Sequence, residues 1–411
     1  MKLFQASLEF LVANHSLLFL GAVAAFLLTY VLTFCVLAVC RKYNWFEPVV
    51  AHKVHKKSLP RLGGLAIFAA FLFSSLLFYL PTLFVQPGKQ EFIWGHSISQ
   101  ELIIYVLFLL AALLIVAVHA YDDVKGMKPL PKLLAQTVAV LILMGPGLQR
   151  FHGVLFFGVN NPFVHVGLAY TAALPWYQQP ELTLFIREPV VSWLAIPAVL
   201  FTWFWFVGMM NAINFIDGLD GLAAGIVSIV GLFITIISFQ LGQYTIATLA
   251  AIFTGAVAGF LPHNWNPSRM IMGDTGSQFL GLALAMISIM GGAKFALILM
   301  ILGIPILDIA WVMLNRIRRG QNPMQRDLLP QYSHKTHLHY RLLFGGLNAR
   351  QVCYILYTVT AIFGLSALTL PRILKFVGFG LVGLIVCGLF WWSIFLQQKK
   401  AQQKPHDAQQ A

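Results

Sequence analysis

Eleven apolar stretches, each bounded by charged or turn residues, constrain this chain more than any other feature. They fall near 17–40, 64–85, 102–120, 133–148, 190–210, 221–240, 243–262, 277–292, 295–314, 351–370 and 374–396. A helix needs about 20 apolar residues to cross a bilayer's ~30 Å hydrocarbon core. Within lipid, every backbone N–H and C=O must also find its partner inside the chain. The pattern predicts an all-α polytopic integral membrane protein with about eleven transmembrane helices. Residues 1–396 would form a single transmembrane catalytic domain, followed by a polar tail over 397–411. Of the 411 residues, 59% are apolar and 10% charged, against roughly 25% charged in a soluble domain. These proportions exclude a soluble enzyme, a disordered chain and a nucleic-acid-binding domain. The first apolar run is long and lacks a small-residue cleavage site, so it reads as a retained helix. Cys35, Cys40, Cys353 and Cys387 show neither metal-ligand spacing nor a disulfide framework.

Orientation follows from the basic residues, which concentrate in cytoplasmic loops. The alternate loops 41–61, 121–132, 211–220, 262–276 and 315–350, with the tail, hold 20 of the 27 Lys and Arg. This places the N-terminus outside, the C-terminus in the cytoplasm, and the stretch 149–190 outside. That stretch contains the β-prone run Leu182–Ile186, which predicts a small external hairpin. The net charge of +13 reads as loop charge plus affinity for an anionic substrate.

Acidic residues number only 14, and six aspartates sit in or at the edges of apolar spans on the cytoplasmic side: Asp122, Asp123, Asp217, Asp220, Asp274 and Asp308. A carboxylate at membrane depth costs roughly 2.5–3.5 kcal/mol, so such residues are functional candidates. The adjacent Asp122 and Asp123 repel unless a cation or shared proton relieves them. Lys125, Lys128, Lys132 or a hard divalent ion would supply that relief. Asn211, Asn214, Asp217 and Asp220 recur every three residues at the end of a very apolar span. On an unbroken helix they would drift by about 60° per step. Gly218 and Gly221 suggest a broken turn where all four face one cavity; a helix cap would account for only one Asn and one Gly. Gly273-Asp274-Thr275-Gly276-Ser277 offers backbone N–H groups at a helix start, which suits an anion or serves simply as an N-cap. In the basic loop, His337, His339 and Arg341 alternate and would share a face if extended. They suit a sugar pyrophosphate, with Arg binding phosphate through two parallel hydrogen bonds. Asp308 could accept a hydrogen bond from that loop or pair with a basic residue.

Taken together, five segments resemble the polyprenyl-phosphate N-acetylhexosamine-1-phosphate transferase family. They are Pro60-Arg61-Leu62-Gly63-Gly64, Asp122-Asp123 with Lys132, Asn211 to Gly221, Met272 to Ser277, and His337-Leu338-His339-Tyr340-Arg341. The resemblance is greatest to the bacterial branch that transfers N-acetylglucosamine 1-phosphate to undecaprenyl phosphate. It implies transfer from a UDP-N-acetylhexosamine to a polyprenyl phosphate, with UMP released, at the cytoplasmic face of a bacterial plasma membrane. It also implies Mg²⁺, with Mn²⁺ as the alternative, held by Asn214 and Asp274. By the same resemblance Lys132 contacts the pyrophosphate and Asp220 the uracil edge. Asp122, Asp123 and Asp217 join Lys132 in the catalytic group. Asn211 joins Asp220, His337, His339 and Arg341 in substrate binding. Tyr340 departs from the pattern, since close relatives often carry a third histidine there. The phospho-N-acetylmuramoyl-pentapeptide transferases carry a denser histidine motif and rank second as a reading. A proton-coupled transporter ranks below, because it would place carboxylates nearer the bilayer midplane. A CDP-alcohol phosphotransferase is excluded by the missing arginine after Asp220-Gly221. A homodimer is compatible with the sequence, which does not fix oligomeric state.

Overall fold

The computed structural model describes residues 15–46, 58–85, 90–93, 96–145, 195–290, 337–369 and 383–398, with positions 154, 163–164, 190–191, 308, 311, 313–314, 317–318, 320 and 380–381. Its helices are α1 (Ser16–Tyr43), α2 (Gly63–Ser74), α3 (Leu80–Val85), α4 (Gln100–Lys125), α5 (Pro129–Met144), α6 (Ala195–Ile216), α7 (Leu222–Gln240), α8 (Tyr244–Asn264), α9 (Gly273–Met290), α10 (Leu338–Phe344), α11 (Ala349–Thr369) and α12 (Gly383–Gln398). A π-helical turn, Ser75–Tyr79, joins α2 to α3. Short antiparallel strand pairs link Gln90–Ile93 with His96–Ser99, and Phe163–Val164 with Val190–Val191.

Among the described residues, seven helices are long and apolar enough to cross a membrane: α1, the composite Gly63–Phe84, α4, α6, α7, α8 and α11. These correspond to seven of the eleven expected spans. α5, the fourth expected span, is shorter: Pro129 opens it, and Gly145 in the left-handed region closes it after 16 residues. At 1.5 Å per residue this is about 24 Å, short of the ~30 Å core. α12 is likewise apolar but short. α9 starts at Gly273, four residues before the expected 277, because the Gly-Asp-Thr-Gly-Ser run forms its first turn. Most of the stretch 295–314, the run Leu182–Ile186 expected to form a hairpin, and the tail beyond Gln398 lie outside the described residues.

α9 lies at the centre, against α2, α4 and α6, with Phe279 through Met286 buried along its whole length. Phe71, Phe108, Phe253 and Phe279 meet around it, edge-on except for the tilted Phe71–Phe279 pair, a favourable arrangement for aromatic rings. α1 and α8 run parallel in close contact. A Cβ added at Gly255 would lie 2.1 Å from the Ala22 carbonyl oxygen, and one at Gly259 2.2 Å from that of Phe26. The Gly-x-x-x-Gly spacing thus lets two backbones approach where lipid supplies no hydrophobic drive between helices. Gly259→Val is expected to separate them and destabilise the protein by about 1–3 kcal/mol, read as a lowered Tm in detergent. Gly208→Ala, where an added Cβ meets nothing within 4 Å, should leave Tm unchanged or slightly raised.

Candidate active site

Two glycine-bearing segments distant in sequence form the frame. Pro60–Gly64 lies along Ile271–Met272: Ile271 N–H donates to Pro60 O (2.9 Å), Gly63 N–H to Ile271 O (3.1 Å) and Gly64 N–H to Met272 O (2.9 Å). Gly273 has φ 76°, and a Cβ there would sit 2.0 Å from Arg61 O. Only glycine permits both the conformation and the approach.

The first turn of α9 brings its N–H groups to the end of α4. Asp123 Oδ1 accepts from Asp274 N–H (3.0 Å); its Oδ2 accepts from Thr275 N–H (2.9 Å) and Thr275 Oγ1 (2.6 Å). Asp123 is therefore a cap supplied by another helix, satisfying donors that α9 cannot satisfy itself. Its neighbour Asp122 accepts Met127 N–H (2.6 Å) and pairs with Lys132. Lys132 also donates to Asp274 Oδ2 at 2.8 Å. Asn214 donates its Nδ2 to Asp274 Oδ1 (3.1 Å) and to Ser277 Oγ (2.9 Å). Arg61 completes the ring, with a guanidinium nitrogen 3.5 Å from Asp123 and 3.7 Å from Asp274.

Asp122, Asp123 and Asp274 each offer a carboxylate oxygen, all within 4.8 Å of one another. Three carboxylates against Lys132 and Arg61 leave a net charge of −1. The donors are all hard oxygens, which fit Mg²⁺ or Mn²⁺ and exclude a thiolate-type zinc site. Since Asn214 spends its Nδ2 on Asp274 and Ser277, its Oδ1 is the atom a cation would take. Asp217 follows α6 in the turn beyond the membrane-spanning helix. Burial pushes its carboxyl well above the ordinary carboxylate range; the charges of Asp274 and Asp123 push the same way, and Arg61 only partly opposes them.

Asn211, Asn214, Asp217 and Asp220 do not all face one cavity. α6 remains helical through Ile216, so the 60° drift persists and the side chains part. Asn211 joins an amide network deeper in the bundle, donating to Gln136 Oε1 (3.2 Å) and Val207 O (2.8 Å), while Gln136 donates to Gln278 Oε1 (2.8 Å). Asp220 is buried and accepts from Asn266 Nδ2 (2.9 Å) and Ser268 N–H (3.2 Å). The histidine segment is likewise not extended: α10 begins at Leu338. Asp308 accepts both Leu338 N–H and His337 Nδ1–H, each at 2.8 Å, which starts the helix and fixes the His337 ring. That ring stacks on Phe215 (5.4 Å) and His339 (5.9 Å). Tyr340 donates its hydroxyl to Gly218 O at 3.1 Å. The segment thus docks on the turn after α6, while Arg341 lies over the Phe390 ring at 5.8 Å.

Sequence reasoning gave no individual role to Arg61, Gln136, Thr275, Ser277 or Gln278. Arg61 carried a signal, as the cation inside a Pro-x-Leu-Gly-Gly segment. The two glutamines did too, being amides within apolar runs, where polar groups need partners.

The model of glycosyl transferase family 4 matches residues 105–292. A probable undecaprenyl-phosphate N-acetylglucosaminyl 1-phosphate transferase of Bacillus subtilis is 30% identical over 325 residues, 77% of this chain and 75% of that protein. A decaprenyl-phosphate N-acetylglucosaminephosphotransferase of Mycobacterium tuberculosis is 30% identical over 344 residues, covering 76% and 72%. A phospho-N-acetylmuramoyl-pentapeptide-transferase of Leuconostoc mesenteroides is 29% identical over 310 residues, covering 75% and 84%.

Proposed function

Because this chain belongs to glycosyl transferase family 4, we propose that it transfers N-acetylglucosamine 1-phosphate from UDP-N-acetylglucosamine to a polyprenyl phosphate, undecaprenyl phosphate in a bacterial plasma membrane. The observation that carries the reading is the meeting of three carboxylates, Lys132 and Arg61 at one end of an apolar bundle. There a lipid acceptor from the bilayer and a charged nucleotide from water can converge. An oxygen of the acceptor phosphate forms a bond to the β-phosphorus of the donor. The bond from that phosphorus to the bridging oxygen breaks, and UMP leaves with the electron pair. The acceptor is already ionised at neutral pH, so positioning and charge neutralisation matter more than a strong base.

Asp122, Asp274 and Asn214 Oδ1 would hold Mg²⁺, with Asp123 holding the α9 turn in register. Such an ion neutralises charge on the pyrophosphate oxygens. Lys132 and Arg61 add fixed positive charge around it. Asp217 lies beside the acidic cluster, Asp220 serves the uracil end and Arg341 the pyrophosphate, while Asn211, tied to Gln136, braces the bundle beneath the site. Asp308 fixes His337 through Nδ1, leaving Nε2 for a sugar hydroxyl or amide. Replacing His337 by Gln is expected to shift the kcat/KM ratio between UDP-N-acetylglucosamine and its epimer by roughly 3- to 30-fold. An equal loss on both donors would remove the sugar-reading role.

The direct test is UMP release by purified protein over a panel of UDP-sugars with undecaprenyl phosphate. Turnover of UDP-N-acetylglucosamine supports the reading. Turnover confined to the muramoyl-pentapeptide donor would favour the second reading, to which the Leuconostoc mesenteroides relative points. For the orientation, a cysteine introduced at position 330 should label only from the cytoplasm and one at 170 only from outside. The reverse pattern would put the acidic cluster where UDP-sugars are absent.

A further inference from the structure

Outside the acidic site, one cavity combines positive charge with contact to a lipid-facing surface. It encloses about 330 Å³ between α1, the end of α8 and the start of α11, and its walls include Tyr30, His263, Trp265, Asn266, Arg269 and Arg350. None of its lining residues is acidic, and none is shared with the Asp122–Asp123–Asp274 cluster. Among the described residues, neither Arg269 nor Arg350 pairs with a carboxylate. Both are exposed.

The cavity is held in shape by its own backbone. Arg350 Nε–H donates to Asn266 O at 2.8 Å, which fixes one edge of its guanidinium. Arg269 N–H donates to His263 O at 2.8 Å, and His263 Nε2 meets Tyr30 O at 3.1 Å. On one side the wall continues as the outward face of α1, where Phe26, Leu27, Tyr30, Val31 and Phe34 are 36–55% exposed. That face is apolar and belongs to a membrane-spanning helix. The cavity therefore sits where a greasy surface meets two arginines, with Tyr and Trp at the seam, as expected at a membrane–water boundary.

We propose that this pocket binds the headgroup of a net-anionic membrane phospholipid through its phosphate ester, with the acyl chains lying along the exposed face of α1. Arginine recognises phosphate oxygens through paired N–H donors, and basic pockets between membrane helices suit anionic headgroups. A free phosphate would satisfy the arginines equally but would make no use of the α1 face. The acceptor substrate is a separate matter, because its phosphate must reach Asp122 and Asp274 to react.

The test is native mass spectrometry of the purified full chain with phosphatidylglycerol, phosphatidylcholine or inorganic phosphate added. Phosphatidylglycerol should remain bound at least about ten-fold more than phosphatidylcholine, and R269Q/R350Q should lose that preference. R41Q/K42Q, which removes two exposed charges further along α1, should keep it. Arg269→Glu alone changes an exposed side chain and should also weaken binding, which guards against a folding defect in the double variant. Undiminished phosphatidylglycerol binding by R269Q/R350Q would overturn the proposal. So would equal retention of phosphatidylcholine. Displacement of the lipid by millimolar inorganic phosphate would reassign the pocket to a free anion. Because the readout is binding, it stands or falls independently of transferase activity.

Discussion

Asp274→Asn should lower kcat by 100-fold or more in protein that still folds. The side chain keeps its size, and the backbone N–H that donates to Asp123 is untouched. What disappears is one of three negative charges within 4.8 Å of each other, together with the carboxylate that binds Lys132 and faces Arg61. Weakening an ion that neutralises transition-state charge removes several kcal/mol of stabilisation. At about 1.4 kcal/mol per decade, the loss is at least two orders of magnitude. The measurement is kcat for UMP release at saturating donor and Mg²⁺, beside a Tm in detergent. Near-normal turnover with unchanged Tm would place the metal elsewhere.

Lys132→Met should also cost roughly 10- to 100-fold in kcat, but with the opposite effect on the metal. The ammonium pairs with Asp122 and donates to Asp274, and it would have to share those oxygens with any cation. Removing it takes a charge-assisted hydrogen bond from the pyrophosphate, worth about 1.5–3 kcal/mol. It also frees two carboxylates. The Mg²⁺ concentration for half-maximal activity should therefore fall, by about ten-fold if the repulsion relieved is near 1.4 kcal/mol. The decisive measurement is a Mg²⁺ titration of the variant's residual activity. A rise in that concentration would mean that Lys132 organises the metal site rather than competing with it.

Much of this site was legible because its parts are chemically out of place. Carboxylates and amides at the ends of apolar runs stand out in a chain with so few charges, and Asp122, Asp123, Lys132, Asn214 and Asp274 do meet. What the residues could not convey was direction. Steps of three look convergent on paper, yet α6 stays helical through Ile216 and carries Asn211 to Gln136, away from Asn214. Alternation suggested an extended histidine segment, but Asp308 caps α10 and turns it into a helix. The sequence did allow Asp308 a hydrogen bond from this loop, and it makes one; that the bond starts a helix was not legible, because the cap comes from a distant part of the chain. Asp123 likewise read as half of a charged pair, because the donors it serves lie on α9, beyond the reach of local periodicity. Of the eleven expected spans, seven appear as helices long enough to cross among the described residues; α5 shows that an apolar run signals burial in lipid while its length need not match the bilayer.

The glycine seam between α1 and α8 bears on how the protein is made. More than half the chain separates Ala22 from Gly255 and Phe26 from Gly259, and a ribosome delivers them in that order. Until α8 is made, the face of α1 that receives Gly255 and Gly259 is without its partner, and among the described residues only α2 and the π-helical turn can pack against α1. Docking of α8 on α1 can therefore come only after both have been made, and a variant that cannot close this seam leaves the two helices unassembled. A bulky residue at Gly255 or Gly259 should accordingly show first as a shortened lifetime of newly synthesised protein, seen in pulse-chase labelling, while molecules that escape turn over substrate normally.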